Sequence, residues 1–100
     1  MNLQKKLNDN LTLHYVDANN WNNDDNGNEV TTMYELSFSF YDKHYMAYAS
    51  RESIDKNTGY LSSAEGDSDL FDSFESIIEG KYWKDVVEQC QAFEKWKETL

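Results

Sequence analysis

Between Glu29 and Asp42 the chain reads EVTTMYELSFSFYD. Val30, Thr32, Tyr34, Leu36, Phe38 and Phe40 share one parity. Glu29, Thr31, Met33, Glu35, Ser37, Ser39 and Tyr41 share the other. A helix would scatter the large apolar residues around its circumference, whereas a strand puts them all on one face. The segment therefore predicts a long strand with one buried side. The rest of the chain must supply neighbouring strands and a layer to cover that side.

Two further stretches qualify as neighbours. Leu11–Asp17, LTLHYVD, sets Leu11, Leu13 and Tyr15 against Thr12, His14 and Val16, a half-buried strand whose second face is not cleanly polar. His44–Ser50, HYMAYAS, reads as a returning strand after a tight turn at Asp42–Lys43. A two-residue turn there pairs Phe40 with Tyr45, Phe38 with Ala47 and Leu36 with Ala49. The small alanines then leave room for a helix on that side. The same register places Ser39 beside Met46 and Ser37 beside Tyr48 on the outer side. Ala18–Asn28, ANNWNNDDNGN, is expected to be a loop or long hairpin connection, with Trp21 in its middle. Trp21 either tucks onto the core or is offered to a partner. Leu3 and Leu7 admit a short N-terminal helix over Met1–Asn10, and Arg51–Ala64 reads mostly as turn.

The covering layer comes from the C-terminal half. In Glu65–Glu79, EGDSDLFDSFESIIE, the residues Leu70, Phe71, Phe74, Ile77 and Ile78 recur at helical spacing. Asp67 or Ser68 suits the N-cap and Gly80 the C′ position. Lys81–Leu100 repeats the pattern with Trp83, Val86, Val87, Cys90, Phe93, Trp96 and Leu100, and its polar face mixes both signs. The expected fold is a single α+β domain over residues 1–100. It is a three-stranded antiparallel β-meander packed by two C-terminal helices, with the short N-terminal helix before it.

The first of these helices also carries the chain's most concentrated charge. Asp69, Asp72, Glu75 and Glu79, with Glu65 and Asp67 just before, fall in a stretch without Lys or Arg from Asn57 to Gly80. Along a helix the four acids are spaced by roughly 4.5–6 Å, from the ~1.5 Å rise per residue. That is the scale of phosphate spacing along a nucleic-acid strand, so such a stripe can enter a cationic groove built for nucleic acid. A plain solvated face carries similar charge runs.

The formal net charge of −10 disfavours direct contact with nucleic acid or an anionic membrane and favours basic partners. Cys90 is the lone cysteine, which excludes an intrachain disulfide and a cysteine metal cluster. No apolar run approaches the ~20 residues that span a bilayer, and MNLQKKLNDN lacks an apolar signal core. The cytoplasm is the expected compartment. No P-loop, dinucleotide-binding glycine pattern, HExxH or GxSxG occurs. His14 and His44 fall on expected strands without a ligand spacing. Asn22, Asp24, Asn26 and Gly27 imitate the start of a calcium loop, but its bidentate twelfth position is Met33. No cofactor or metal is expected, and no catalytic residue is assigned.

In its order of elements the chain resembles small acidic phage-encoded anti-CRISPR proteins of the Cas9-inhibitor type. The stretch Ser68–Asp85, SDLFDSFESIIEGKYWKD, and the preceding hairpin carry the resemblance. It covers most of the chain in architecture and not in sequence identity. It implies a non-enzymatic, phage-encoded inhibitor acting in the host cytoplasm. An acidic, DNA-mimicking surface would bind a basic nucleic-acid-handling protein such as a CRISPR effector. Asp69, Asp72, Glu75, Glu79, Glu65 and Asp67 are the expected charges. Trp21, Tyr41 and Tyr48 are the expected aromatic anchors. An immunity protein or antitoxin for a basic toxin fits the same charge. A structural or assembly protein and a small calcium-binding module are the readings from other classes.

Overall fold

A computed structural model describes residues 4–22, 30–66 and 69–100, with the backbone alone at 21, 22, 30 and 31. The alternating segment forms the central strand, and strands surround it in chain order. These are β1 (Lys5–Asn8), β2 (Leu11–Asn22), β3 (Val30–Phe40), β4 (Lys43–Ser50) and β5 (Ser63–Gly66). They form one antiparallel sheet in the order β1-β2-β3-β4-β5. Helix α1 (Arg51–Lys56) lies between β4 and β5, and α2 (Phe71–Gly80) and α3 (Trp83–Glu98) follow. The α+β class, the antiparallel sheet and the two C-terminal helices agree with the sequence, but the sheet has five strands rather than three.

The additional elements have local causes. Lys5–Asn8 is an edge strand and not a helix, because pairing with β2 satisfies its backbone and places Lys5 opposite Leu13. On that side Lys5 Nζ reaches Asp85 on α3 at 2.9 Å. β2 runs on to Asn22, through the first part of the expected loop, because its backbone stays in register with β3 as far as Asn22 opposite Val30. α1 begins at Ser50, whose Oγ accepts from the Ser53 N–H at 3.1 Å, and stops at Asn57 in the left-handed region. The expected caps at Asp67 and Ser68 lie outside the described residues. α2 instead starts after Leu70, and Gly80 is its last residue, ahead of the C-cap Lys81.

Tyr34, Leu36, Phe38 and Phe40 of β3 are buried, as alternation requires. β2 does not keep simple alternation. Its register with β3 shifts between Leu13 and Tyr15, so His14 and Tyr15 together oppose Ser37. This β-bulge reverses the parity. Leu11, Leu13 and Val16 all enter the core, while Tyr15 turns outward and is 38% exposed.

The β3–β4 turn is Tyr41–Asp42, one residue earlier than the sequence suggested. Phe40 therefore pairs with Lys43, Phe38 with Tyr45, Leu36 with Ala47 and Tyr34 with Ala49. The register differs from the expected one by two residues, which leaves every side chain on its expected face. On the outer side Ser39 faces His44 and Ser37 faces Met46. Both turn residues have positive φ, 52° and 65°, the signature of a type I′ hairpin turn.

The helices cover one side of the sheet. Phe74 of α2 is stacked on Tyr45 at 4.7 Å and meets Phe38 edge-on at 5.2 Å. Ile78, Val86, Cys90 and Phe93 complete this core, whereas Leu100 is exposed. Tyr34 Oη donates to Glu94 Oε1 at 2.9 Å and so ties β3 to α3. Among the described residues no helix is long and apolar enough to cross a membrane.

Candidate functional site

The expected acids do not all stand alike. Asp72 is exposed on the side of α2 away from the buried Phe74 and Ile78, whereas Glu75 and Glu79 are half-buried on its flanks. Asp69 is exposed in the turn just before the helix. Glu79 is half-buried and accepts a hydrogen bond from the Leu61 N–H at 3.1 Å, so it also anchors the segment leading to β5. Glu65 is on β5, on the uncovered side of the sheet, where it accepts from Tyr48 Oη at 3.2 Å. Partial burial, reinforced by this hydrogen bond, pushes the Tyr48 phenol above its ordinary pKa. Asp67 and the Trp21 side chain lie outside the described residues.

The register separates the expected aromatic anchors. Tyr41 caps the hairpin beyond the Leu11–Phe40 pair, whereas Trp21 sits ten residues further along β2 than Leu11. At ~3.3 Å per residue these positions are roughly 33 Å apart. Tyr48 and Glu65 do come together, and both adjoin the β5 side from which α2 departs.

The uncovered sheet side adds residues that the sequence reading missed. Asp17 is directly opposite Glu35, and Glu35 is directly opposite Tyr48. A carboxylate row therefore runs from β2 toward Glu65 on β5. Its members are ordinary polar-parity residues, so they became legible only once the bulge and register were known. Among the described residues the ion pairs are Lys5–Asp85, Lys6–Asp9, Arg51–Asp55 and Lys56–Glu52. None of them neutralises this row or the stripe on α2.

Two histidines occupy the same side. His14 Nε2 lies 2.8 Å from Ser39 Oγ, and His44 Nε2 lies 2.8 Å from Ser37 Oγ. Nucleophilic serine chemistry needs a third group to orient the imidazole. Among the described residues no carboxylate bonds either ring. The His–Ser contacts instead tie β2 to β3 and β3 to β4 across the open face. No protein-family model, no curated protein and no solved structure matches the chain.

Proposed function

We propose that this protein is a non-enzymatic inhibitor that occupies the cationic nucleic-acid groove of a partner protein. The partner class implied by the architectural resemblance is a CRISPR effector of the Cas9 type, and the source a phage. The observation that carries this reading is that no ion pair among the described residues neutralises the acids of α2 or those of the open sheet. Asp72 and Glu75 stand on α2, with Asp69 in the turn before it, and Asp17, Glu35 and Glu65 form a second group on the uncovered side of the sheet. The helix spaces Asp72 and Glu75 on a scale comparable to phosphates, and strand pairing fixes the second group. Opposite charge then steers the encounter and excludes acidic surfaces.

The test is competition on a guide-loaded Cas9-type effector between this protein and labelled duplex DNA. The protein should displace DNA, and displacement should weaken as salt rises. The double substitution Asp72→Lys/Glu75→Lys should weaken it further and flatten the salt dependence. Failure to bind any such effector at low salt would overturn the reading. Inhibition of a basic toxin nuclease in its place would assign the same surface to an immunity protein.

A further inference from the structure

β2 is longer than the strand that covers its outer edge. Its inner edge pairs with β3 from Leu11 to Asn22, but on the outer edge β1 pairs only with Leu11, Thr12 and Leu13. From Tyr15 to Asn22 no partner strand adjoins that edge among the described residues. Beyond the bulge, residues 16–22 extend it for roughly 23 Å, at ~3.3 Å per residue.

An antiparallel ladder turns the N–H and C=O of every second residue away from the neighbouring strand. The Ala18 N–H donates to Asp17 Oδ1 at 2.8 Å in an exposed contact, which marks Ala18 as a residue whose backbone faces the empty edge. Val16, Asn20 and Asn22 share its parity. Strand edges are commonly guarded by lysine or by shortness. β1 is four residues long and carries Lys5 and Lys6, whereas the sequence holds no Lys or Arg between Lys6 and Lys43. The open edge of β2 has neither guard.

The side chains beside the edge decide what can join it. On the uncovered side of the sheet, exposed Asp17 stands directly opposite Glu35, and no ion pair among the described residues reaches either. On the helix side, Ala18 is partly buried against the core. A strand laid along this edge continues the line of β1 and sets its side chains alternately beside Asp17 and beside Ala18. A second copy of this chain would bring another net charge of −10 to the join. A cationic segment brings the charge that Asp17 and Glu35 lack.

We infer that the outer edge of β2 takes up an extended segment of the partner protein as an added antiparallel strand, with lysine or arginine at alternate positions. Main-chain hydrogen bonds to Val16, Ala18 and Asn20 supply the grip, and the alternate side chains supply the selectivity. The cationic residues fall beside Asp17, and small apolar residues between them fall beside Ala18. On binding, Asp17 exchanges its contact with the Ala18 N–H for a charge-assisted one, and that N–H passes to a carbonyl of the incoming strand. The inference rests on the cationic partner proposed above and states how one of its segments is held.

The test is an NMR titration of the full chain with acetyl-Lys-Val-Lys-Val-Lys-Val-Lys-amide, alongside the same peptide N-methylated at its valines. Methylation keeps the charge and removes the N–H groups that an antiparallel strand would turn toward β2. The parent peptide should bind saturably and slow hydrogen exchange at the amides of Val16, Ala18 and Asn20. The methylated peptide should bind the unaltered chain at least about tenfold more weakly, and Asp17→Asn should weaken the parent roughly threefold. Equal binding of the two peptides, or shifts centred on Asp72 and Glu75, would overturn the added strand. Protection of the same amides that rises with protein concentration alone, with a dimer on sedimentation, would give the edge to a second copy and overturn it too. An effector that binds Asp17→Lys as well as the native chain sinks the added strand and spares the wider reading. A saturable peptide with no effector binding does the reverse.

Discussion

Asp17 on β2 stands directly opposite Glu35 on β3, on the side of the sheet away from the helices. Neither residue chose this neighbour. The bulge at His14 and the burial of Leu13, Val16, Leu36 and Phe38 set the register, and the register pins two like charges together. Directly opposed like charges destabilise a sheet. A cation placed between the two carboxylates would relieve the repulsion.

Asp17→Asn should accordingly stabilise the free protein, by up to about 0.5 kcal/mol after allowance for solvent screening. Urea midpoints at low and high salt provide the check, and the gain should shrink as salt rises. Asp17 Oδ1 accepts from the Ala18 N–H at 2.8 Å, and the Asn amide oxygen keeps that bond, so a loss of stability would show that the negative charge itself is favourable there.

Replacing Tyr41-Asp42 by Asn-Gly should raise stability by about 1 kcal/mol, because it relieves two unfavourable positive-φ positions in the turn. Chemical denaturation with an unchanged m-value would confirm the effect as a gain in native stability.

The bulge at His14 makes neighbouring residues respond in opposite ways. Val16→Ala removes buried core volume and should cost roughly 1–3 kcal/mol. Tyr15→Ser, on the outward side, should change stability by no more than about 0.5 kcal/mol. Uniform alternation along β2 would have reversed that ranking, so thermal denaturation of the two variants tests the bulge directly.

Alkali should unfold the protein early. Burial, with Glu94 nearby, holds the Cys90 thiol neutral above its ordinary 9.0, and burial together with the Glu94 hydrogen bond does the same for Tyr34 above 10.0. Both folded-state pKa values are raised, so the native state binds these protons more tightly than the unfolded state. The contribution is whole below the unfolded values and is lost as pH rises through 9.0 and 10.0 toward the folded ones. Urea midpoints should therefore fall from about pH 9 upward. Cys90→Ala combined with Tyr34→Phe should flatten that fall.

What could be read from the residues alone follows from where the signal is local. The period-two pattern in β3 and the apolar stripes of α2 and α3 are local signals: Tyr34, Leu36, Phe38 and Phe40, Phe74 and Ile78, and Trp83 to Phe93 at helical spacing are buried as read, whereas Leu70, Phe71, Ile77 and Trp96 are partly buried and Leu100 is exposed. β1 was not legible, because Lys5-Lys6-Leu7 has no strand pattern of its own and takes its place from β2 and Asp85. α1 had signals in Ser50 as a cap and Asn57 as a stop, obscured by its six-residue length. The hairpin register was missed by two because Tyr41-Asp42 lacks the residues that usually announce a type I′ turn. On the candidate surface, the stripe on α2 was visible as sequence. The row from Asp17 to Glu65 is a product of register, and single-segment reading has no access to it.

The sheet order repeats the chain order, and this shapes how the molecule comes to exist. Each strand finds its neighbour next along the chain, so hairpins can zip one after another as the polypeptide is made. The core of that sheet is roofed by α3, which lies against β2 yet comes after all five strands. The native burial of Leu11, Leu13 and Val16 is therefore completed only once Trp83–Glu98 has left the ribosome. β1 pairs only with Leu11–Leu13, so from Tyr15 to Asn22 the outer edge of β2 is left without a partner strand among the described residues, and that edge is where another chain could add itself.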